Sequence, residues 1–190
     1  MVFFSGLVYH FSMKRDLRRK YLNIRKRVLD KSCKDDLIFN KVISDERVLL
    51  ARDILIYVSF EDEVDTRRLI NYFLDNGKNV YVPRVCEKEM DFYRIDSFND
   101  LVEGYKNILE PVGNEKISDF SKALCITPGV CFNRYGYRIG YGGGFYDRFL
   151  SRSGVFSIGV CYKECLCDLE FNEEHDVAVN RVITDWGCYW

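Results

Sequence analysis

Ile54-Leu55-Ile56-Tyr57-Val58-Ser59 is apolar almost without a break and rich in β-branched and aromatic side chains, the pattern of a strand covered by helices on both faces. After the acidic stretch Glu61-Asp62-Glu63-Val64-Asp65, the periodicity predicts a helix from about Thr66 to Asn76. Gly77 then suits the left-handed position that ends a helix, and Asn79-Val80-Tyr81-Val82 returns as a strand. A strand-helix-strand unit of this kind closes as a parallel pair with a right-handed crossover. Residues 92–95, 123–127, 157–161 and 181–184 supply further short strands, so the expectation is an α/β fold of three layers. Its sheet is mostly parallel or mixed, with helices on both faces.

Upstream, Leu17, Tyr21, Ile24 and Val28 recur at spacings of four and three and form one apolar helical stripe beginning near Met13. Lys14, Arg15, Arg18, Arg19, Lys20, Arg25, Lys26 and Arg27 surround it. At 100° per residue Lys14 and Arg18 border the packed face and can point into a cleft, whereas a solvated cationic face suits most of the others. Ser32-Cys33-Lys34-Asp35 reads as a capping-box variant opening a second helix that runs to about Ile43. With no linker or repeat, residues 13–190 form a single domain. Residues 1–12, MVFFSGLVYHFS, lack the basic region of a signal peptide and are too short to span a bilayer. They are read as an extension ahead of Met13, with an ordered edge strand or packed tail as the alternative.

Charge and cysteine content exclude several classes of function. The 28 Lys+Arg against 29 Asp+Glu leave a formal net charge of -1, so there is no global cationic surplus for a nucleic-acid backbone. The 8 cysteines contain no Cys-x-x-Cys pair, and His10 and His175 are the only histidines, so zinc-ligand spacing is absent. A chain of 190 residues buries enough surface to fold without disulfides, and the thiols are expected to be free and mostly packed as small hydrophobes.

The densest motif is Arg138-Ile139-Gly140-Tyr141-Gly142-Gly143-Gly144-Phe145-Tyr146-Asp147-Arg148-Phe149, with a short helix expected from Phe145 to Arg152. Glycines let the backbone turn with positive φ and approach a ligand, and the amides of a following helix favour an anion. On spacing alone, a phosphate cradle and a glycine-rich surface turn weigh equally; the run matches neither a Walker A loop nor a dinucleotide fingerprint. Topology favours the cradle. In an open α/β sheet, ligands bind beyond the carboxyl ends of the strands, where both this loop and the acidic loop emerge. Arg138 is then a candidate phosphate partner and Asp147 a candidate Mg2+ carboxylate. Glu63 can face the same cleft, although a solvated loop carboxylate is the more ordinary role for one acid among three.

Taken in order, these residues resemble the 5-formyltetrahydrofolate cyclo-ligase family. The resemblance runs from Lys14-Arg15-Asp16-Leu17-Arg18 through Phe60-Glu61-Asp62-Glu63-Val64-Asp65-Thr66, Met90-Asp91-Phe92 and Glu110-Pro111 to Glu174-His175-Asp176 and Ile183-Thr184-Asp185. Its most specific part is Pro128-Gly129-Val130-Cys131-Phe132-Asn133 followed by Gly136 through Arg148. The resemblance implies a Rossmann-like architecture of the sugar-phosphate isomerase and CoA-transferase kind. It also implies conversion of 5-formyltetrahydrofolate to 5,10-methenyltetrahydrofolate with ATP as co-substrate and Mg2+ as cofactor, through phosphorylation of the formyl oxygen. Carried over by position, Lys14 and Arg18 hold ATP phosphates; Arg138, Ile139, Gly140, Tyr141, Gly142, Gly143, Gly144, Phe145 and Tyr146 line the nucleotide. Val58, Glu63 and Tyr146 contact folate, Asp147 and Asn180 serve the metal, and Arg138 and Tyr146 act in catalysis. Asn133, Cys165, Phe171 and Asn180 depart from the residues usual in the family, where Asp, Gln, Pro and Asp stand. A cytoplasmic monomer without nucleic-acid or membrane partners is expected. The alternatives are a folate- or nucleotide-binding module without turnover, and a phosphate-handling isomerase or CoA-transferase of similar fold.

Overall fold

The computed structural model describes residues 3–104 and 108–189, with side chains from residue 13 onward. In chain order, α1 spans Phe3–Lys26, α2 Lys31–Ser44, α3 Glu46–Leu50, β1 Asp53–Ile56, α4 Arg67–Asp75, β2 Asn79–Cys86 and β3 Glu89–Ile95. There follow β4 Leu101–Glu103, β5 Leu109–Pro111, β6 Ala123–Thr127, β7 Cys131–Asn133, β8 Arg138–Ile139, α5 Phe145–Ser153, β9 Phe156–Val160, β10 Leu166–Cys167, β11 Arg181–Ile183 and β12 Cys188–Tyr189.

The main sheet has seven strands in the order β12-β11-β9-β6-β1-β2-β3. Its interior is parallel: β1 pairs with β2 and β6, β6 with β9, and β9 with β11. Only the edge strands β3 and β12 run antiparallel to their neighbours. Alternation along each strand splits the core into two layers. Ile54, Ile56, Val80, Val82, Leu124 and Ile126 pack with Ile38, Phe39 and Val42 of α2, Val48 of α3, and Leu69, Ile70 and Phe73 of α4. Leu55, Tyr81, Cys125 and Val182 face the opposite way, onto Leu17 and Tyr21 of α1 and Phe149 and Leu150 of α5. The mostly parallel sheet with helices on both faces is therefore present as expected.

Four local features differ from the expectations. α2 starts at Lys31 behind Asp30, whose backbone is left-handed at φ 53° and whose side chain caps nothing, so the Ser32 capping box does not form. Asp35 accepts instead from the Tyr162 hydroxyl and the Asp65 amide, and these long-range bonds outweigh a local cap. α3 was not foreseen in the sequence; Asp45 opens it by accepting from the amides of Arg47 and Val48. Strands β7 and β8 were also not anticipated. They form an antiparallel pair, joined by β10 into a separate three-stranded sheet. Runs of two and three residues carry too little periodicity to read. α1 begins at Phe3, ten residues before the start of its readable stripe. Cys125, Cys131, Cys161, Cys165 and Cys167 are buried, in keeping with thiols used as small core side chains.

Candidate active site

Strands β1 and β6 are parallel, with Ile56 beside Ile126, so the segments leaving them open at the same carboxyl end of the sheet. There they enclose a cleft of about 1480 Å³ lined by α1, the acidic loop, the glycine run and the 173–177 segment. Lys14, Arg18, Val58, Glu63 and the whole stretch from Arg138 to Asp147 line it. No helix among the described residues is long and apolar enough to cross a membrane.

The acidic loop is held by a small set of bonds. The Thr66 hydroxyl donates to the Tyr57 carbonyl at 2.7 Å and accepts from the Ser59 amide at 3.0 Å, pinning both ends of the loop. Lys31 of α2 meets Asp62 at 2.5 Å. Glu63 folds back so that its Oε2 accepts from the Phe60 amide at 3.1 Å. Its carboxylate is not the solvated loop acid that its neighbours suggested, because its side chain is only 8% exposed. Burial pushes its pKa up to about 7, against the opposing pull of Arg25 and of hydrogen bonds from Phe60 and Tyr141. Val58 is buried at the end of the same strand, with Tyr57 beside it donating to the Val64 carbonyl at 3.0 Å.

Arg25 was missed in the sequence. It stands four residues after Tyr21 and three before Val28, on the apolar stripe itself, and it is buried. That position was the signal available, since a solvated arginine would sit off the stripe.

α1 brings Lys14 and Arg18 to the cleft wall. The Arg18 Nε donates to the Gly140 carbonyl at 2.6 Å, tying the helix to the glycine run and leaving both Nη groups for an anion. Gly142 has φ 99°, and a Cβ there would lie 3.5 Å from the Arg18 guanidinium. Gly144 precedes α5 with φ 64° and supplies no side-chain cap, and the amino end of that nine-residue helix borders the cleft. Lys14 is engaged otherwise: its ammonium lies 2.7 Å from Glu173 and 2.6 Å from Asp176. Glu173 also escaped the sequence reading, which had nothing local to distinguish it.

Arg138 is almost fully enclosed. Its Nη1 donates to the Val177 carbonyl at 3.1 Å and its Nη2 to Asp147 Oδ1 at 3.0 Å. The same Asp147 oxygen accepts from the Val177 amide at 3.2 Å, which leaves Oδ2 as a hard oxygen ligand on a residue that lines the cleft. Tyr146 stacks edge-to-face on Phe92, with ring centroids 6.3 Å apart, and lies beneath the Arg138 guanidinium. Its hydroxyl is buried without a hydrogen-bond partner, a state that a ligand atom would relieve. Asn180 is not brought to the cleft. It is exposed, and its Oδ1 accepts from the Ser157 amide at 2.8 Å and from the Ser157 hydroxyl at 3.3 Å. Asn133 holds the β7–β8 turn, accepting from the amides of Tyr135 and Tyr137 at 3.0 and 3.1 Å.

Comparison with known proteins adds identity to this geometry. The family model of the 5-formyltetrahydrofolate cyclo-ligase family matches residues 10–185. The 5-formyltetrahydrofolate cyclo-ligase of Mus musculus is 30% identical over 162 residues, covering 77% of this chain and 80% of the mouse protein. The Escherichia coli K12 enzyme of the same name is 31% identical over 145 residues, covering 72% and 80%. Among solved structures, the 5,10-methenyltetrahydrofolate synthetase of Aquifex aeolicus superposes with a TM-score of 0.83 at 27% identity, covering 93% of this chain and 92% of that one. The Mycoplasma pneumoniae synthetase, 22% identical with a TM-score of 0.72, shares the fold. Matched by that family model over most of its length and by relatives of the same name, the chain with this cleft at the carboxyl ends of its parallel strands belongs to the 5-formyltetrahydrofolate cyclo-ligase family.

Proposed function

We propose that the protein converts 5-formyltetrahydrofolate to 5,10-methenyltetrahydrofolate with consumption of ATP, in the cleft between α1, the acidic loop and the glycine run. One observation supports it above the others: Arg18, the glycine run and Asp147 share a single cleft with Glu63 and Val58, so an anion cradle and a buried carboxylate face one space. In this reading the formyl oxygen takes the γ-phosphoryl group and ADP leaves. The N10 lone pair then attacks the formyl carbon, closing the C–N bond, and inorganic phosphate departs with the oxygen while N10 loses its proton.

An amide oxygen is a weak nucleophile, so the protein's work is alignment and charge neutralisation. Arg18 offers its Nη groups to phosphate oxygens, and Lys14 exchanges Glu173 and Asp176 for phosphate when nucleotide enters. Residues 139–145 line the nucleotide through backbone amides. Arg138 orients Asp147 and adds positive charge behind the transferring group. Asp147 fits Mg2+ through its free oxygen, and the metal, when bound, neutralises phosphate charge. Asn180 enters this reading only as the prop of Ser157, because its amide oxygen is already taken. Tyr146, between the Arg138 side and the folate side, gives its unpaired hydroxyl to the reacting groups. Residues 13–190 suffice for this work, and the enzyme acts as a cytoplasmic monomer.

A binding module without turnover would hold the same ligands, so the test must read chemistry. Mixing the protein with MgATP and 5-formyltetrahydrofolate should raise the near-ultraviolet absorbance of the methenyl product together with ADP in equal amounts. Ligand binding with neither product would establish the binding-only alternative, and nucleotide hydrolysis without the chromophore would rule out the cyclisation.

A further inference from the structure

Beneath the cleft wall lies a buried arginine, Arg25, that the reaction outlined above leaves unused. The Arg25 guanidinium has 4% side-chain exposure, and its Nη1 is 3.9 Å from Glu63 Oε1. Its Nη2 donates to the Tyr141 hydroxyl at 2.5 Å, and Tyr141 is in turn an electrostatic neighbour of Glu63. Its Nη1 also reaches the Gly129 carbonyl at 3.5 Å, while its Nε is buried with no partner. An arginine in such a place is costly unless its charge is used, since a buried cation loses hydration that only a well-placed partner restores.

We propose that Arg25 is a positioning residue for the reaction: through direct attraction and through Tyr141, it keeps the Glu63 carboxylate ionised and aimed at the folate. The inference rests on Glu63 being the folate carboxylate. An ionised carboxylate only accepts hydrogen bonds, which suits the N–H-rich edge of a pterin ring, whereas a protonated one offers a mismatched donor.

The surroundings of Glu63 explain why a cation is needed. Facing it are Tyr57 at the end of β1, Tyr146 from α5, Tyr141 from the glycine run and Glu61 from its own loop, and the Tyr162 hydroxyl meets its backbone carbonyl at 3.5 Å. Glu61 raises the carboxyl pKa and the tyrosines carry no positive charge, so Arg25 is the cation among these neighbours. Even with it the carboxyl sits near 7, so removing it carries Glu63 into the protonated state at neutral pH.

The experiment uses the full chain and measures KM for 5-formyltetrahydrofolate from mildly acidic to mildly alkaline pH, with KM for MgATP and melting temperature recorded alongside. In the parent, the folate KM rises as pH falls through the region of 7. Arg25→Gln, which can still bond Tyr141 without charge, should move that limb upward by about one pH unit, roughly fivefold in folate KM at pH 7 and approaching tenfold at lower pH. Alkaline pH should restore the parent value, and KM for MgATP should stay put. Arg25→Lys, which keeps the charge, should leave the limb near its parental position. Glu63→Gln should abolish the limb. A folate KM untouched by Glu63→Gln would remove the underlying reading of Glu63. A limb lost in Glu63→Gln but unmoved in a folded Arg25→Gln would overturn the role of Arg25 alone, as would a folate KM that alkaline pH does not restore.

Discussion

Glu63 illustrates how a single buried group ties stability to function. Its folded pKa of about 7 lies above the ordinary 4.5, so the folded state holds a proton that the unfolded chain releases. Stability therefore falls as pH rises from the unfolded value through the folded one, at most by about 1.4 kcal/mol for each pKa step of one. Glu63→Gln removes that cost. The variant should melt higher than the parent by a margin that grows between acid and mildly alkaline pH, while its folate affinity drops by roughly 1.5–3 kcal/mol for the lost charged hydrogen bond. Thermal melts across pH check the first part and folate titration the second; a margin independent of pH would refute the linkage. Arg138→Lys speaks to a different physics. The planar fork holds Val177 and Asp147 together, and lysine cannot span both, so MgATP-dependent turnover should fall. Because both bonds are buried, the melting temperature should fall too, by an amount matching about 1–3 kcal/mol. Gly142→Val should be worse for nucleotide binding, since φ 99° disfavours a β-branched residue and its branches would fill the space beside the Arg18 guanidinium. Unaltered MgATP affinity in both variants would show that the glycine run is only a turn.

At the scale of elements, the β7–β8 hairpin deserves its own test because it delivers the glycine run to the cleft. Gly136, at φ 82°, makes the tight turn possible, and the Asn133 side chain bonds both ends of it while donating to the Leu169 carbonyl at 3.5 Å. Asn133→Ala takes the shared acceptor from the partly buried amides of Tyr135 and Tyr137, a loss of about 0.5–1.5 kcal/mol per bond. The variant should show a lower melting temperature and weaker MgATP binding, with folate affinity less affected, because the acidic loop is pinned separately by Thr66. Equal weakening of both ligands in calorimetric titrations would mean that the two walls of the cleft are not independent. What the turn needs at this position is an acceptor oxygen for the Tyr135 and Tyr137 amides, and the Asn133 amide supplies it.

Over the whole molecule, α1 is the element whose removal would expose both core and cleft. Its buried Leu17 and Tyr21 seal one core layer, and Arg18, Arg25 and Lys14 reach the glycine run, Glu63 and the 173–176 segment respectively. Each of these contacts lies at or beyond residue 13. A fragment of residues 13–190 should therefore keep the parental melting temperature and turnover. Loss of folding, or of most activity, would make the preceding residues part of the working protein. Ligand linkage gives a second whole-molecule readout: MgATP bound to the native state alone should raise the melting temperature, by about 2.7 kcal/mol of stability at a hundredfold excess over Kd.

Period and punctuation along the chain were enough for the parallel core: the helix closing on Gly77 and the strand at 123–127 formed, β9 formed within one residue of 157–161, and β1 took the first part of the 54–59 run and ended at Ile56, because continuous burial and a left-handed glycine are local demands. The glycine run and its neighbours Arg138 and Asp147 were legible for the same reason, as backbone freedom beside charged residues is written in adjacent positions. What only the folded chain decided were partnerships across long separations. Asn180 sits beside Ser157, 23 residues away in the chain, rather than in the cleft with Asp147. Lys14 spends its charge on Glu173 and Asp176, more than 150 residues distant, and Arg25 turns a helix stripe position into a buried cation under Glu63. The energy of a charge depends on the dielectric and the counter-charges that tertiary packing places around it, and no spacing rule along a chain carries that information.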